Sequence, residues 1–169
     1  MNEGDRIVLN TSPWIALSIC GQINLLQKFF REVYMPIAVK EEIIAGGELG
    51  IGIKELKTSP WIKIERVSDP HKVKLLYELE QGEAEVIVLA KEKRVNKVLI
   101  DEKIARLQAK VLGLQVIGTL GLLLKAKKEA ILPAIRPLIQ KMMDEGIWIK
   151  QGLLKGILIE AGEIPGTHV

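Results

Sequence analysis

Arg6-Ile7-Val8-Leu9-Asn10-Thr11-Ser12-Pro13-Trp14-Ile15-Ala16-Leu17 decides how the chain is read. Arg6 and three aliphatic residues run into the polar Asn10-Thr11-Ser12, and Pro13 then opens a helical pattern. This reads as a buried first strand whose carboxyl end hands over to a helix N-terminus. In open α/β sheets ligands sit in the crevice outside the carboxyl ends of the strands, so any chemistry should start at Asn10.

Outward from that stretch, 14–19 and 23–30 read as two short helices broken at Gly21. A β-type run at 33–35 stops at Pro36, which can serve as the first residue of the next helix because its missing N–H has no partner there. Ile37, Val39, Ile43 and Ile44 populate one side of that helix, and Gly46-Gly47 ends it. The region 48–58 shows no clean period and reads as loop with some helix. Alternation of apolar and polar residues over 61–67 is the signature of a half-buried strand.

Asp69-Pro70 combines an N-cap acid with a proline, and the helix it starts is expected to run through Leu79 to Glu80, with Gly82 as its breaker. A second helix covers 83–93. The apolar run 97–100 closes at Asp101-Glu102. A third helix follows, with Ile104, Leu107 and Val111 at spacings of three and four as its apolar face. A last parallel-type strand at 114–117 leads through Gly118-Thr119 into a helix ending near Lys127. Pro133 opens a helix carrying Ile135, Leu138, Ile139 and Met142, and Ile147-Trp148-Ile149 is a short strand candidate. Leu153, Leu154, Ile157 and Leu158 lie on a final helix, and the tail 163–169 should fray.

Strands alternating with helices of about ten residues imply a central parallel sheet covered on both faces, a three-layer α/β/α sandwich. The 169 residues suffice for one domain with one core. Within it, residues 6–118 read as the core and 119–160 as a helical C-terminal extension.

Composition excludes several functions. No apolar run approaches the roughly 18 residues of a membrane span, and 1–5 lacks the basic start and apolar middle of a signal peptide. A cytoplasmic protein is expected. Cys20 is the lone cysteine, so no internal disulfide forms, and its apolar setting suits a small buried thiol. His71 and His168 have no second ligand at metal spacing, which argues against zinc. A net charge of +3 permits contact with nucleic acid without arguing for it.

The acidic positions carry more. Asp101 ends its strand as Asn10 ends the first, and if the two strands are neighbours both side chains enter one crevice. Glu42 lies on the helix after the second strand, and Glu83 on the helix before the strand of Asp101. Carboxylates gathered at strand ends suit hard divalent cations, Mg²⁺ or Mn²⁺, which take oxygen ligands and keep several waters. Acids near helix starts also serve the helix dipole without any metal, and Glu41, Glu42, Glu83, Glu85 and Glu102 all qualify.

Five segments taken together resemble the PIN-domain family: Leu9 to Leu17, Tyr34-Met35-Pro36-Ile37-Ala38-Val39-Lys40-Glu41-Glu42-Ile43, Gln81-Gly82-Glu83-Ala84-Glu85, Leu99-Ile100-Asp101-Glu102 and Val116-Ile117-Gly118-Thr119-Leu120-Gly121. The resemblance is to a prokaryotic branch with a helical C-terminal extension, related to the VapC-type toxins, and covers residues 6 to about 160. It implies a metal-dependent ribonuclease using Mg²⁺ or Mn²⁺, with RNA as substrate, an antitoxin protein as partner and a homodimeric state. Carried over by position, Asn10 stands at the family's first aspartate, Glu42 at the helix glutamate, Glu83 at the acid of the central helix and Asp101 at the aspartate after the fourth strand. Glu85 is the alternative to Glu83, on a different helix face. Ser12 matches a hydroxyl residue supporting the metal site from behind.

Asn10 departs from the pattern. Its carbonyl oxygen can ligate a cation, but a unit of charge is gone, and a unit charge about 4 Å from a dication is worth several kcal/mol gross at an effective dielectric near 20. Weakened binding is expected, and Asp5, roughly 16 Å away along an extended strand, cannot compensate. Two origins stay open: a natural relative with weak or absent activity, or a substitution made to silence a nuclease. The accompanying alternative function is a catalytically degenerate PIN domain acting as an RNA-binding or protein-interaction module. On the substrate side Lys91, Lys93, Arg94, Lys110, Lys125, Lys127 and Lys128 could track a phosphate backbone or merely solvate helix faces. Arg106, one turn beyond Asp101-Glu102, is the best single candidate for RNA contact.

Overall fold

A computed structural model describes residues 5–46 and 50–166. The readings on 1–4, Gly47, 48–49 and His168, with the rest of 167–169, lie outside the described residues. Strands β1 (Arg6–Leu9), β2 (Glu32–Pro36), β3 (Lys63–Glu65), β4 (Lys97–Leu99) and β5 (Gln115–Ile117) form one sheet in the order β3-β2-β1-β4-β5. Every pairing is parallel, and flanking helices complete the three-layer α/β/α sandwich expected from the alternation. Ile7, Val8 and Leu9 on β1 and Val98 and Leu99 on β4 are fully buried. Central strands of a sheet covered on both faces must be apolar on both sides. At the amino ends of these two strands, Asp5 pairs with Lys97.

The chain divides into two compact units, residues 1–118 and 119–169. The first holds the sheet with helices α1 (Thr11–Ile19), α2 (Leu25–Phe29), α3 (Ile37–Ala45), α4 (Ile53–Lys57), α5 (Pro70–Leu75), α6 (Gln81–Lys93) and α7 (Lys103–Val111). The second holds α8 (Thr119–Lys128), α9 (Arg136–Asp144) and α10 (Gln151–Glu160). Among the described residues no helix is long and apolar enough to cross a membrane.

Several sequence expectations need correction. The strand expected over 61–67 shrinks to β3, because its partner β2 ends at Pro36, opposite Glu65, where the chain turns into α3. Pro36 itself is the last residue of β2 and the N-cap of α3 rather than its first turn. The Asp69 cap is present, its carboxylate accepting the His71 N–H at 3.0 Å, but α5 stops at Leu75 instead of Glu80. Leu75 is 75% exposed, so a longer helix would have gained no apolar burial there. Gly82 does not break a helix; it lies inside α6, one residue after the start. Ile104, Leu107 and Val111 face outward, and Ala105 and Ala109 are the buried residues of α7.

In the second unit, α9 starts at Arg136 rather than Pro133. The Glu163 carboxylate fixes that start by accepting the Ile135 and Arg136 N–H groups at 2.8 and 2.9 Å. The Lys127 ammonium lies 3.5 Å from the same carboxylate. Burial pushes the Glu163 pKa up, but the two backbone N–H groups and Lys127 outweigh it, and the net shift is downward. The tail is thus held at Glu163, the residue where fraying was expected to begin. Ile147-Trp148-Ile149 forms no strand, since this unit offers no sheet edge among its described residues to pair with.

Candidate functional site

The pairing of β1 with β4 places Leu9 opposite Leu99, and the Asn10 N–H donates to the Leu99 carbonyl at 3.1 Å. Asn10 and Asp101 therefore leave adjacent strands at the same edge of the sheet, as the apolar runs preceding them suggested. Asn10 is the N-cap of α1, yet its side chain caps nothing. The residue is buried, and its Oδ1 has no hydrogen-bond partner among the described residues. A buried unpaired carbonyl oxygen costs about 1–3 kcal/mol. Position 10 thus holds a hard oxygen donor in want of a partner.

Glu42 projects from the second turn of α3 into a closed set of donors. Thr11 Oγ1 donates to Glu42 Oε2 at 2.5 Å, and the Gly82 N–H donates to Glu42 Oε1 at 3.1 Å. One carboxylate thereby joins the starts of α1 and α6 to α3. The glycine is required sterically: a Cβ at residue 82 would stand 2.9 Å from Glu42 Cδ and 3.0 Å from Oε2, with Oε1 closer still. Only hydrogen at that position leaves room for the carboxylate.

Glu83 follows on α6. Its Oε1 accepts the Glu80 N–H at 3.0 Å, and the Glu80 side chain accepts the Glu83 N–H in return, completing a capping box. Burial raises the Glu83 pKa, the Glu80 N–H opposes this, and the carboxylates of Glu80, Glu102 and Glu42 add to the rise. Glu83 is therefore in electrostatic reach of acids on both sides of the crevice. Glu85 points elsewhere, its oxygens taking the Ala38 N–H at 3.4 Å and Gln81 Nε2 at 2.6 Å. It secures the start of α3 and the exposed side of α6.

The β4–α7 side is more open. Asp101 and Glu102 are exposed, and Glu102 caps α7 through the Ile104 N–H at 3.4 Å. Arg106 reaches back from α7, its Nη1 donating to the Ile100 carbonyl at 2.7 Å. A Cβ at Gly118 would lie 2.8 Å from Arg106 Nη1 and 3.2 Å from Asp101 Oδ1, which places both side chains against the exit of β5. Ser12 is exposed. Thr11, given no role from the sequence, is the hydroxyl that engages an acid, and the only signal for it was its place in the Asn10-Thr11-Ser12 turn. Gly82 was equally hidden, because its purpose depends on Glu42, 40 positions away.

Most of the basic residues that could track a phosphate backbone have local duties. Lys91 Nζ donates to the Leu112 carbonyl at 2.9 Å, Lys93 pairs with Glu65 at 3.5 Å, and Lys128 with Glu160 at 3.4 Å. Lys127 is engaged by Pro133 O and Glu163. Arg106 retains guanidinium donors beyond the one spent on Ile100.

Among the described residues no three His, Cys, Asp or Glu side chains are grouped to hold a metal ion. The donor set is nevertheless all oxygen, and Asn10 Oδ1 is an orphaned oxygen at the strand edge. Those features fit a hard divalent cation held by Asn10 with acids from neighbouring elements, rather than by a triad of carboxylates.

No protein of curated function matches the sequence. Among solved structures the chain is similar to "A domain of a functionally unknown protein from Methanocaldococcus jannaschii DSM 2661", at 23% identity over 68% of this chain and 91% of that one, with a TM-score of 0.46. A family model described as DUF3368: PIN domain matches residues 6–163, from β1 to the Glu163 cap. The chain belongs to this PIN-domain family.

Proposed function

We propose that this chain is a metal-dependent ribonuclease of the PIN type, the toxin of a toxin–antitoxin pair, whose turnover is limited by the asparagine at position 10. The observation that carries the reading is the buried, unpartnered Asn10 Oδ1 at the carboxyl edge of a parallel sheet, beside the strand that leads to Asp101. The PIN fold, a nuclease-type fold, supports it. Asn10, Glu42, Glu83 and Asp101 would hold Mg²⁺ or Mn²⁺, with Ser12 behind them. The bound ion supplies an activated water and neutralises charge on the phosphodiester.

The chain's own residues set the rest. Thr11 and Gly82 fix the Glu42 carboxylate through both of its oxygens, so little reorientation accompanies ligation. Glu83, its pKa raised by burial and by the neighbouring carboxylates, gives up its proton at higher pH than an ordinary glutamate. Arg106 contacts an RNA phosphate with the donors not spent on Ile100. An antitoxin protein and a second copy of the chain are the partners this reading implies, and the helices of 119–160 extend the same domain.

One observation favours a second reading, a degenerate PIN domain serving as an RNA-binding or protein-interaction module. Glu42 and Glu83 already satisfy backbone donors, and position 10 carries no charge. Mn²⁺-dependent cleavage of a mixed RNA pool by this protein and its Asn10→Asp variant separates the two. The ribonuclease reading expects saturable cleavage that rises at least about tenfold in the variant, equivalent to ~1.4 kcal/mol. Silence in both proteins, with the fold intact by circular dichroism, would leave the binding module.

A further inference from the structure

The connection between α9 and α10 carries a large side chain that the acidic crevice leaves unused. Trp148 is 82% exposed, whereas Trp14 is fully buried. The Ile147 N–H donates to the Met142 carbonyl at 3.1 Å, and the Leu154 N–H to the Lys150 carbonyl at 3.0 Å. The exposed indole therefore stands on backbone that is tied down at both ends.

The charge around it is of one sign. Residues 146–159 include no acid, and the charged side chains among them are Lys150 and Lys155. Both lysines are exposed, and neither has an ion pair or side-chain hydrogen bond among the described residues. The acids at the two ends of this run are engaged or set apart. Asp144 accepts Gln140 Nε2 at 2.9 Å, and Glu160 pairs with Lys128 at 3.4 Å. Glu145 lies before the turn at Gly146, whose φ of +97° redirects the chain.

These features select the occupant. Trp148 and Leu153 are the large apolar side chains that the described part of this unit leaves mostly exposed. Two side chains are far too little for a stable protein interface, which takes roughly 800 Å² from each partner. A helix that lies on a membrane needs a whole apolar face, and α10 turns its Leu158 inward. One aromatic face beside unengaged ammonium groups suits a single nucleic-acid strand: a base stacks on the ring, and the adjoining phosphates meet the cations. We propose that Trp148, with Lys150 and Lys155, is a docking point for an unpaired base of single-stranded RNA, outside the acidic crevice. Naming RNA rests on the ribonuclease reading, but the contact itself needs neither a metal ion nor cleavage. It gives the helical unit a part in choosing the substrate, since a strand with free bases is held and a duplex, whose bases are stacked inside, is not.

RNA binding by the full chain, measured with a chelator present so that nothing is cut, tests the proposal. An unstructured RNA of about twelve nucleotides should quench the protein's tryptophan fluorescence. Trp148→Phe should abolish that quenching yet keep most of the affinity, because phenylalanine also stacks. Trp148→Ala should weaken binding at least about fivefold, read by anisotropy of a labelled RNA, with an unchanged dependence on salt. Lys150→Gln with Lys155→Gln should instead flatten the slope of log affinity against log salt, by about 0.7 for each lysine lost. All three positions are exposed, and circular dichroism verifies that the variants fold. The proposal is overturned by an absence of RNA binding, by affinity indifferent to Trp148→Ala, or by duplex RNA bound as tightly as the single strand. Quenching by anionic phospholipid vesicles but not by RNA overturns it as well. A protein that binds in the expected way and never cuts RNA sinks the ribonuclease reading and leaves the docking point standing.

Discussion

The two sides of the acidic crevice are built on opposite plans. On the α3–α6 side, Glu42 is gripped at both oxygens by Thr11 and Gly82, and Glu83 is tied back to Glu80. On the β4–α7 side, Asp101 is exposed and the principal anchor is Arg106 reaching the Ile100 carbonyl. The first side is held by backbone and hydroxyl donors, while the second is exposed to solvent. Asn10 thus lies between one flank of buried or backbone-tied acids and one flank of exposed acids. The same substitution should have different consequences on the two sides, which makes the contrast testable.

The largest effect on stability is expected at Gly82. In Gly82→Ala the new methyl displaces the Glu42 carboxylate, which is held by two donors where Arg106 at Gly118 has one. Overpacking of this kind costs about 1–3 kcal/mol, partly offset by the roughly 1 kcal/mol better helix propensity of alanine. Urea denaturation should show a lower midpoint with an unchanged slope. A midpoint as high as that of the unsubstituted protein would mean that the α3–α6 side is not rigid.

Thr11→Val ranks next. The substitution preserves shape and removes the hydroxyl that donates to Glu42, while the Gly82 N–H remains. A part-buried bond to a carboxylate is worth ~1 kcal/mol net. Thr11→Ser should recover most of that loss in the same denaturation assay. If serine is as costly as valine, packing of the methyl group and not the hydrogen bond is what position 11 provides.

Much of this side was legible as pattern and little of it as partnership. The apolar runs of β1 and β4 each end at a polar residue, and the pairing of the two strands then brings Asn10 and Asp101 to one sheet edge. Asp69-Pro70 announced its helix for the same reason: cap chemistry is local. Gly82 misled because a glycine before a helix pattern ordinarily marks a stop, whereas here it is a clearance for a side chain from a distant helix. Helix α7 misled differently. A 3.6-residue period shows that Ile104, Leu107 and Val111 share a face, and only the fold shows that Ala105 and Ala109 occupy the inner one. Proline placed the α9 start three residues early because Glu163, far along the chain, holds the orphan N–H groups of Ile135 and Arg136.

A smaller effect is expected from Glu83→Gln, visible in its pH dependence. The folded protein raises the Glu83 pKa, burial first and then the neighbouring carboxylates, so folding disfavours the ionised form. Its contribution is fully present below the ordinary glutamate value of 4.5 and is lost as pH rises through the higher folded value. Glutamine keeps an N3 acceptor for the Glu80 N–H and carries no charge. The melting temperature of Glu83→Gln should therefore fall less than that of the unsubstituted protein between acidic and neutral pH. Parallel melting profiles in calorimetry would show that Glu83 is not strained by its surroundings.

Gly118→Ala is expected to have the smallest effect, and for the reason that divides the two sides. Its Cβ would come within 2.8 Å of Arg106 Nη1, but the obstacle is the far end of a long side chain. Arg106, only half-buried, can swing its guanidinium toward solvent, losing the bond to the Ile100 carbonyl. The cost should stay under ~1 kcal/mol, well below that of Gly82→Ala. A double-mutant cycle isolates the mechanism, since neighbouring residues that share an interaction are not additive. In an Arg106→Ala background the glycine substitution should cost nothing further. A full cost retained in that background would place the clash with Asp101 instead, and would make the β4–α7 side as rigid as the other.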